Sequence, residues 1–263
     1  MKEIVLVPRE QPDYGLIAEC ISCDVFAGRS LEEVENLPVY YGNRRGKLAD
    51  FFDVSGEVAG RAEEQRIIID GNVTKTRWIG RGMSAGEIVV RGSADMYVGA
   101  WMSGGRIIVE GDAGAFSGMQ MRGGELHIRG NAGDYLGCSY RGEWRGMSGG
   151  RIVVDGNAGA EVGQNLNGGV IFVRGCVGTF AGVRMKKGLL VAGSAIDRVG
   201  AQMVGGTIVV LGKVERLLPS FDFKGEVENP AAGDEKFAGR FRKYTGDHAE
   251  RNAKGVLYVG DHG

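Results

Sequence analysis

A run of β-branched residues closed by a glycine returns about every nineteen residues, and this recurrence constrains the fold more than any other feature of the chain. The runs occupy residues 67–71, 88–92, 107–111, 126–130, 152–156, 171–175, 189–193 and 208–212, with steps of 21, 19, 19, 26, 19, 18 and 19 residues. A second glycine follows seven residues after the first in most units, as at Gly99, Gly118, Gly137, Gly163, Gly182 and Gly200. A third site closes the unit, as at Gly104-Gly105 and Gly123-Gly124. Short apolar runs rich in Ile and Val suit strands rather than helices. Nineteen residues are too few for a strand and a packed crossover helix, but they suffice for one coil of short strands with tight corners. The period therefore predicts an all-β, single-stranded, right-handed parallel β-helix of about eight coils, stacked about 4.8 Å apart. Residues 67–212 form the repeats, residues 1–66 an N-terminal cap and residues 213–263 a C-terminal tail and cap.

Aligning the runs by their glycines gives columns. The first and third residues of each strand are apolar and face the interior. The fourth faces outward and reads Asp70, Arg91, Glu110, Arg129, Asp155, Arg174, with the sign alternating at every step. Opposite charges one strand apart attract and like charges repel, which favours this register. Met83, Met102, Met121, Met147, Leu166, Met185 and Met203 fill another column. A stripe of thioethers could bind a soft metal, but Leu166 stands in line with the methionines, so the column reads as a stacked core ladder. The second strand column should point outward, yet it reads Ile68, Val89, Ile108, His127, Val153, Phe172, Leu190, Val209. An apolar stripe of that length is covered either by a terminal segment or by a partner chain.

The flanks supply caps. A strand is expected from Glu3 to Val7, then a short helix starting at Ser30 with Glu33 completing a capping box. Residues 52–56 read as an atypical first coil, residues 237–244 as a helical or irregular stretch, and residues 255–259 as a last strand. The 26-residue step adds about seven residues around 138–146, which must leave the stack as a loop. Tyr140, Arg141, Trp144 and Arg145 on that loop are types enriched at protein interfaces. With Phe172 from the apolar stripe, they are the candidate interface residues.

No catalytic constellation emerges. Cys20 and Cys23 form a lone C-x2-C without a second pair, weak grounds for a metal. Cys138 and Cys176 occupy different coil positions. His127 lies in the apolar column and His248 and His262 in the tail, none with an evident nucleophile beside it. Gly80 to Gly86 superficially resembles a dinucleotide loop but has no following helix. With 32 Lys and Arg against 33 Asp and Glu, the chain carries no global nucleic-acid footprint. It contains no apolar stretch long enough to span a membrane and no signal-peptide pattern. A cytoplasmic protein is expected.

Four units carry G-x-x-G-x-x-x-G, spanning residues 111–118, 130–137, 156–163 and 175–182. This repeat resembles the glycine-rich β-helix domain shared by the C-terminal domain of the glutamate synthase large subunit and the C subunit of formylmethanofuran dehydrogenase. The latter has a relative in the bacterial formyltransferase/hydrolase complex. The flanks choose between them: residues 37–43 (LPVYYGN), 48–54 (LADFFDV), 241–251 (FRKYTGDHAER) and 255–259 (GVLYV) are similar to the dehydrogenase subunit. The resemblance implies a non-catalytic structural subunit of an oxidoreductase complex that reduces CO2 and attaches the formyl group to methanofuran in methanogenesis. Its implied partners are an amidohydrolase-type subunit, metal-pterin subunits and ferredoxin-like subunits. The complex would use tungsten- or molybdenum-pterin and iron–sulfur clusters, with no cofactor bound by this chain. No catalytic or metal-binding residue of the family carries over to it.

Overall fold

Strands dominate the computed structural model, which describes residues 1–10 and 12–260. Thirteen of them follow one path: β1 Lys2–Pro8, β2 Phe52–Gly56, β3 Gln65–Ile69, β4 Glu87–Val90, β5 Arg106–Val109, β6 Glu125–Ile128 and β7 Ser148–Val154, then β8 Asn167–Val177, β9 Lys187–Asp197, β10 Thr207–Val210, β11 Asp222–Glu228, β12 Arg240–Gly246 and β13 Gly255–Gly260. The sheet runs β11-β12-β13-β10-β9-β8-β7-β6-β5-β4-β3-β1-β2. It is mixed: the pairs from β1 through β13 along this path are parallel, while β2 and β12 join the ends antiparallel. Among the described residues the chain is thus all-β, with only short helical turns.

The parallel pairs join equivalent positions of the repeat. Ile88 pairs with Ile107, Ile107 with Leu126, Leu126 with Ile152 and Ile152 with Ile171. A second column of parallel bridges links Val73, Ala94, Ala113, Ala132, Ala158 and Val177. Corner amides bond from layer to layer as well: the amides of Ser103, Arg122 and Ser148 donate to the carbonyls of Met83, Met102 and Met121. The methionine column, Leu166 included, is fully buried in the main core with the inward strand residues. On the outer face the charge ladder closes in pairs, Arg91 to Asp70 at 3.4 Å, Arg129 to Glu110 at 3.3 Å and Arg174 to Asp155 at 2.9 Å. These pairs are half-exposed, so each is worth at most ~1 kcal/mol; they favour the register more than they hold it.

Several expectations need correction. Leu190, not Leu189, is the inward residue of its layer: it pairs with Ile171 and Ile208, and Val191 takes the outward place beside Phe172 and Val209. The short step therefore falls after the strand, where the register slips between the Val173–Ala192 and Cys176–Ser194 pairs. A one-residue slip exchanges the two faces of a strand. The N-terminal strand is itself the first parallel layer, with Ile4 on Ile67 and Leu6 on Ile69. Residues 52–56, read as a first coil, instead run antiparallel along that strand. Residues 240–246, which overlap the 237–244 stretch read as helical or irregular, form β12 because β13 pairs with them along their length. The capping box at Ser30 is present: the Glu33 amide donates to Ser30 Oγ, and the Ser30 amide to Glu33 Oε2.

The outward apolar stripe is covered in part by this chain. Val191 and Val209 are buried with Ala232, Phe237, Phe241 and Tyr258 of the C-terminal segment, against which Phe172 also packs. Arg151 and Glu235, 2.8 Å apart, tie that segment to the sheet. Ile108, His127 and Val153 stay half-buried.

Candidate functional site

The insertion is excised cleanly from its repeat unit. In neighbouring layers a corner closes when Met102 or Met121 donates its amide to the glycine carbonyl three residues earlier, Gly99 or Gly118. Here Met147 makes the same bond to Gly137, ten residues earlier, so the loop emerges without disturbing the stack. Its base is fastened from both sides. Gln120 Nε2 donates to the Arg145 carbonyl at 3.0 Å, Lys186 Nζ to the Trp144 carbonyl at 2.6 Å, and the Gly146 amide to the Asn165 carbonyl at 2.9 Å. Tyr140 tilts against Trp101 with ring centroids 5.7 Å apart, and Trp101 Nε1 donates to Gln120 Oε1 at 2.6 Å.

Between this loop and the neighbouring repeat units lies a cleft of ≈360 Å³, walled by Phe116, Tyr135, Tyr140, Trp144, Arg141 and Arg184. Trp144 is 70% exposed and Tyr140 47%. A polar chain lines the floor: Asn165 Nδ2 donates to Ser139 Oγ at 2.9 Å, Ser139 Oγ to Gln164 Oε1 at 3.3 Å, and Gln164 Nε2 to Glu161 Oε2 at 2.6 Å. Glu161 also lies by Tyr135, and its negative charge pushes the Tyr135 phenol above its ordinary pKa. The Oδ1 atom of Asn165 is buried and has no hydrogen-bond donor.

The structure thus brings Tyr140, Arg141 and Trp144 to one cleft; Arg145 lies on the same loop, outside the cleft lining, with its carbonyl accepting from Gln120. It does not bring Phe172 there; that ring lies on the outer face of the main sheet, with the Arg174 guanidinium 5.9 Å from its centroid. One column at the cleft was not read from the sequence. Trp78, Tyr97, Phe116 and Tyr135 stack in successive layers, with centroids 4.0, 5.1 and 4.8 Å apart and nearly parallel planes. Each sits two residues before a glycine of the second site, a spacing that was open to view. Arg81 lies over the neighbouring Trp101, 5.1 Å from its centroid.

The candidate reactive groups are sequestered. Burial pushes the thiols of Cys20, Cys23 and Cys138 up to about 12. Cys23 Sγ donates to the carbonyls of Gln65 and Glu87. His127 Nε2 lies 2.9 Å from Asp155, and His248 Nε2 lies 3.3 Å from Asp222; His262 lies outside the described residues. Among the described residues, no group of three or more His, Cys, Asp or Glu is placed to hold a metal ion. No described helix is long and apolar enough to cross a membrane.

No family model matches the chain. It is 55% identical over 260 residues to the C subunit of tungsten-containing formylmethanofuran dehydrogenase 2 from Methanothermobacter thermautotrophicus, covering 98% of this chain and 96% of that one. The Methanococcus maripaludis protein of the same description is 53% identical over 237 residues, 88% of this chain and 86% of that one. The C subunit of molybdenum-containing formylmethanofuran dehydrogenase 1 from Methanosarcina barkeri is 47% identical over 97 residues, 37% of this chain and 32% of that one. Among solved structures, a chain of the formyltransferase/hydrolase complex from Methylorubrum extorquens, crystallised with methylofuran, superposes with a TM-score of 0.85 at 28% identity. The match covers 98% of this chain and 100% of that one. With more than half of its residues identical over nearly its whole length, the chain belongs to the family of formylmethanofuran dehydrogenase C subunits.

Proposed function

We propose that this chain is the structural subunit of a formylmethanofuran dehydrogenase complex, which reduces CO2 and attaches the formyl group to methanofuran, and that it holds the catalytic subunits together without a reacting group of its own. The observation that carries this reading is the 55% identity over 98% of the chain. The likeness to the formyltransferase/hydrolase chain, at 28% identity, favours the same architecture in a complex of related chemistry. The proposed partners are an amidohydrolase-type subunit, metal-pterin subunits and ferredoxin-like subunits, assembled in the cytoplasm.

We further read the layered strands and corner bonds as successive coils of a right-handed parallel β-helix over residues 67–212, capped by residues 1–66 and 213–263. Pairing at the repeat spacing in the main sheet and in the alanine column supports this. A rigid stack of that kind presents long surfaces to partners, and Tyr140, Arg141, Trp144, Arg145 and Phe172 are the proposed contacts.

The iron–sulfur clusters of such a complex need several thiolates converging on one point. Three of the four thiols here are buried and held protonated to about 12. With no three of His, Cys, Asp or Glu converging among the described residues, that donor set does not fit an iron–sulfur cluster, which supports placing the clusters on other subunits.

The test is to purify the tagged full-length chain from the organism that encodes it. Co-elution with an amidohydrolase-type subunit and with tungsten or molybdenum is expected. A monomer eluting without metal or partners contradicts the proposal.

A further inference from the structure

The charges around the insertion loop are not arranged like those of the strand ladder. On the strand ladder, Arg91, Arg129 and Arg174 each face a carboxylate. Around the loop, Arg122, Arg141, Arg145 and Lys187 are exposed, and among the described residues none forms an ion pair or side-chain hydrogen bond. Arg184 and Lys186 are spent on neutral acceptors, the Gln202 amide oxygen and the Trp144 carbonyl. Two acids lie close by. Glu161 already accepts from Gln164, and Glu143, on the loop itself, pairs with none of these cations. Arg141 and Arg184 line the prefolded cleft together with Glu143, and the two loop guanidiniums, Arg141 and Arg145, have no carboxylate partner among the described residues.

Two further features sit in the same cleft. Trp144 presents most of its ring to solvent from a loop whose backbone is already fastened on both sides, so it offers a rigid apolar anchor that loses little freedom on binding. Asn165, 5% exposed, has its Nδ2 committed to Ser139 while its Oδ1 accepts from nothing. A buried acceptor without a donor is costly, and an N–H brought in by an occupant would relieve it.

We propose that this cleft receives an acidic segment of a neighbouring subunit: a stretch of chain whose Asp or Glu side chains pair with Arg141, Arg145 and Arg122, whose apolar side chain packs on Trp144 and Tyr140, and whose main-chain amide donates to Asn165 Oδ1. Guanidinium–carboxylate pairs formed at a rim steer association and set the salt dependence, and an aromatic anchor at the centre slows release. The proposal rests on the reading of this chain as a subunit of a larger complex and names the chemistry of one partner surface.

The test uses the assembled complex and the full-length chain. A water-soluble carbodiimide joins a carboxylate to a lysine amine only where the two are already in contact. Treated complex, digested and sequenced by mass spectrometry, is expected to yield an amide between Lys186 or Lys187 and an Asp or Glu of another subunit. In parallel, the chain carrying Arg141→Glu and Arg145→Glu is mixed with complex depleted of this subunit. It is expected to melt like the unaltered chain and to bind at least about tenfold more weakly at low salt, with the difference shrinking as salt rises. Equal affinity of the altered chain overturns the proposal, as does coupling of both lysines only within their own chain. An unaltered chain that associates with nothing overturns the subunit reading and this proposal with it.

Discussion

In a Gly123→Ala chain the new Cβ would lie 2.3 Å from the carbonyl oxygen of Ser103 and 3.0 Å from its carbon, one layer away. Neither atom is the flexible end of a side chain, so the clash is relieved only by parting the layers. Ordinary contact begins near 3.4 Å, which requires a local opening of about 1 Å in a stack packed as densely as a crystal. Two interlayer bonds flank the site, from the Arg122 amide to Met102 at 2.7 Å and from the Glu125 amide to Gly105 at 3.0 Å. Lengthening both by ~1 Å weakens or breaks them, and with the accompanying strain the loss comes to about 3–5 kcal/mol. For a chain of this size that lowers the melting temperature by roughly 6–20 °C. Gly82→Ala is the control. Gly82 has φ +66° with nothing within 4 Å of an added Cβ, and its equivalents Trp101 and Gln120 hold the same conformation at φ 59° and 51°. That change is expected to cost ~1 kcal/mol. Calorimetry of both variants decides the matter: if Gly123→Ala melts with Gly82→Ala, the layers are not in contact at Gly123 as described.

Two other expectations follow from single residues. Met121→Ala empties a fully buried place in the methionine column and should lower stability by about 2–5 kcal/mol, whereas Met121→Leu should cost less than ~1.5 kcal/mol, since Leu166 already fills that column; denaturant titration separates the two. Burial alone would raise the Asp247 carboxyl, but hydrogen bonds from the Ser220 side chain and the amides of Ala249 and Gln202, with His248 nearby, hold it below its usual range. A depressed carboxyl adds stability above its unfolded pKa of about 3.9 and loses it as pH falls through the folded value. Asp247→Asn should therefore melt below the unaltered chain at pH 7, and the gap should narrow below about pH 4; a gap independent of pH contradicts this.

The repeat was legible because a stack forces the same side chain into the same place every layer. The inward strand residues, the methionine column and the paired charges all followed from period and alternation. The register of Leu189 and Leu190 did not, because Gly193 lines up with Gly175 and Gly212 in sequence while the missing residue lies beside it in space. The aromatic column of Trp78, Tyr97, Phe116 and Tyr135 repeats as regularly as the strands, but its residues sit at corners with φ of 62–72°, a conformation seldom expected outside glycine and asparagine. At the C-terminus, residues 240–246 carry charges at Arg240, Arg242 and Lys243 that obscure any alternation, and they are a strand because β13 offers them an edge. The loop at 138–146 was visible as extra length; the cleft beneath it depends on Gln164, Asn165 and Arg184, which belong to later layers and meet the loop only through the fold.

A subunit that joins catalytic partners and reacts with nothing leaves a distinct signature when it is withdrawn. The proposed complex, assembled without this chain, should be separated by size, and each fraction assayed for formate oxidation and for formyl hydrolysis, the half-reactions of the proposed metal-pterin and amidohydrolase-type subunits. Both half-reactions are expected to persist at near their original rates while the two subunits elute apart. If either half-reaction disappears with the partners still together, and returns when the chain is added back, the chain takes part in the chemistry and the scaffold role is wrong.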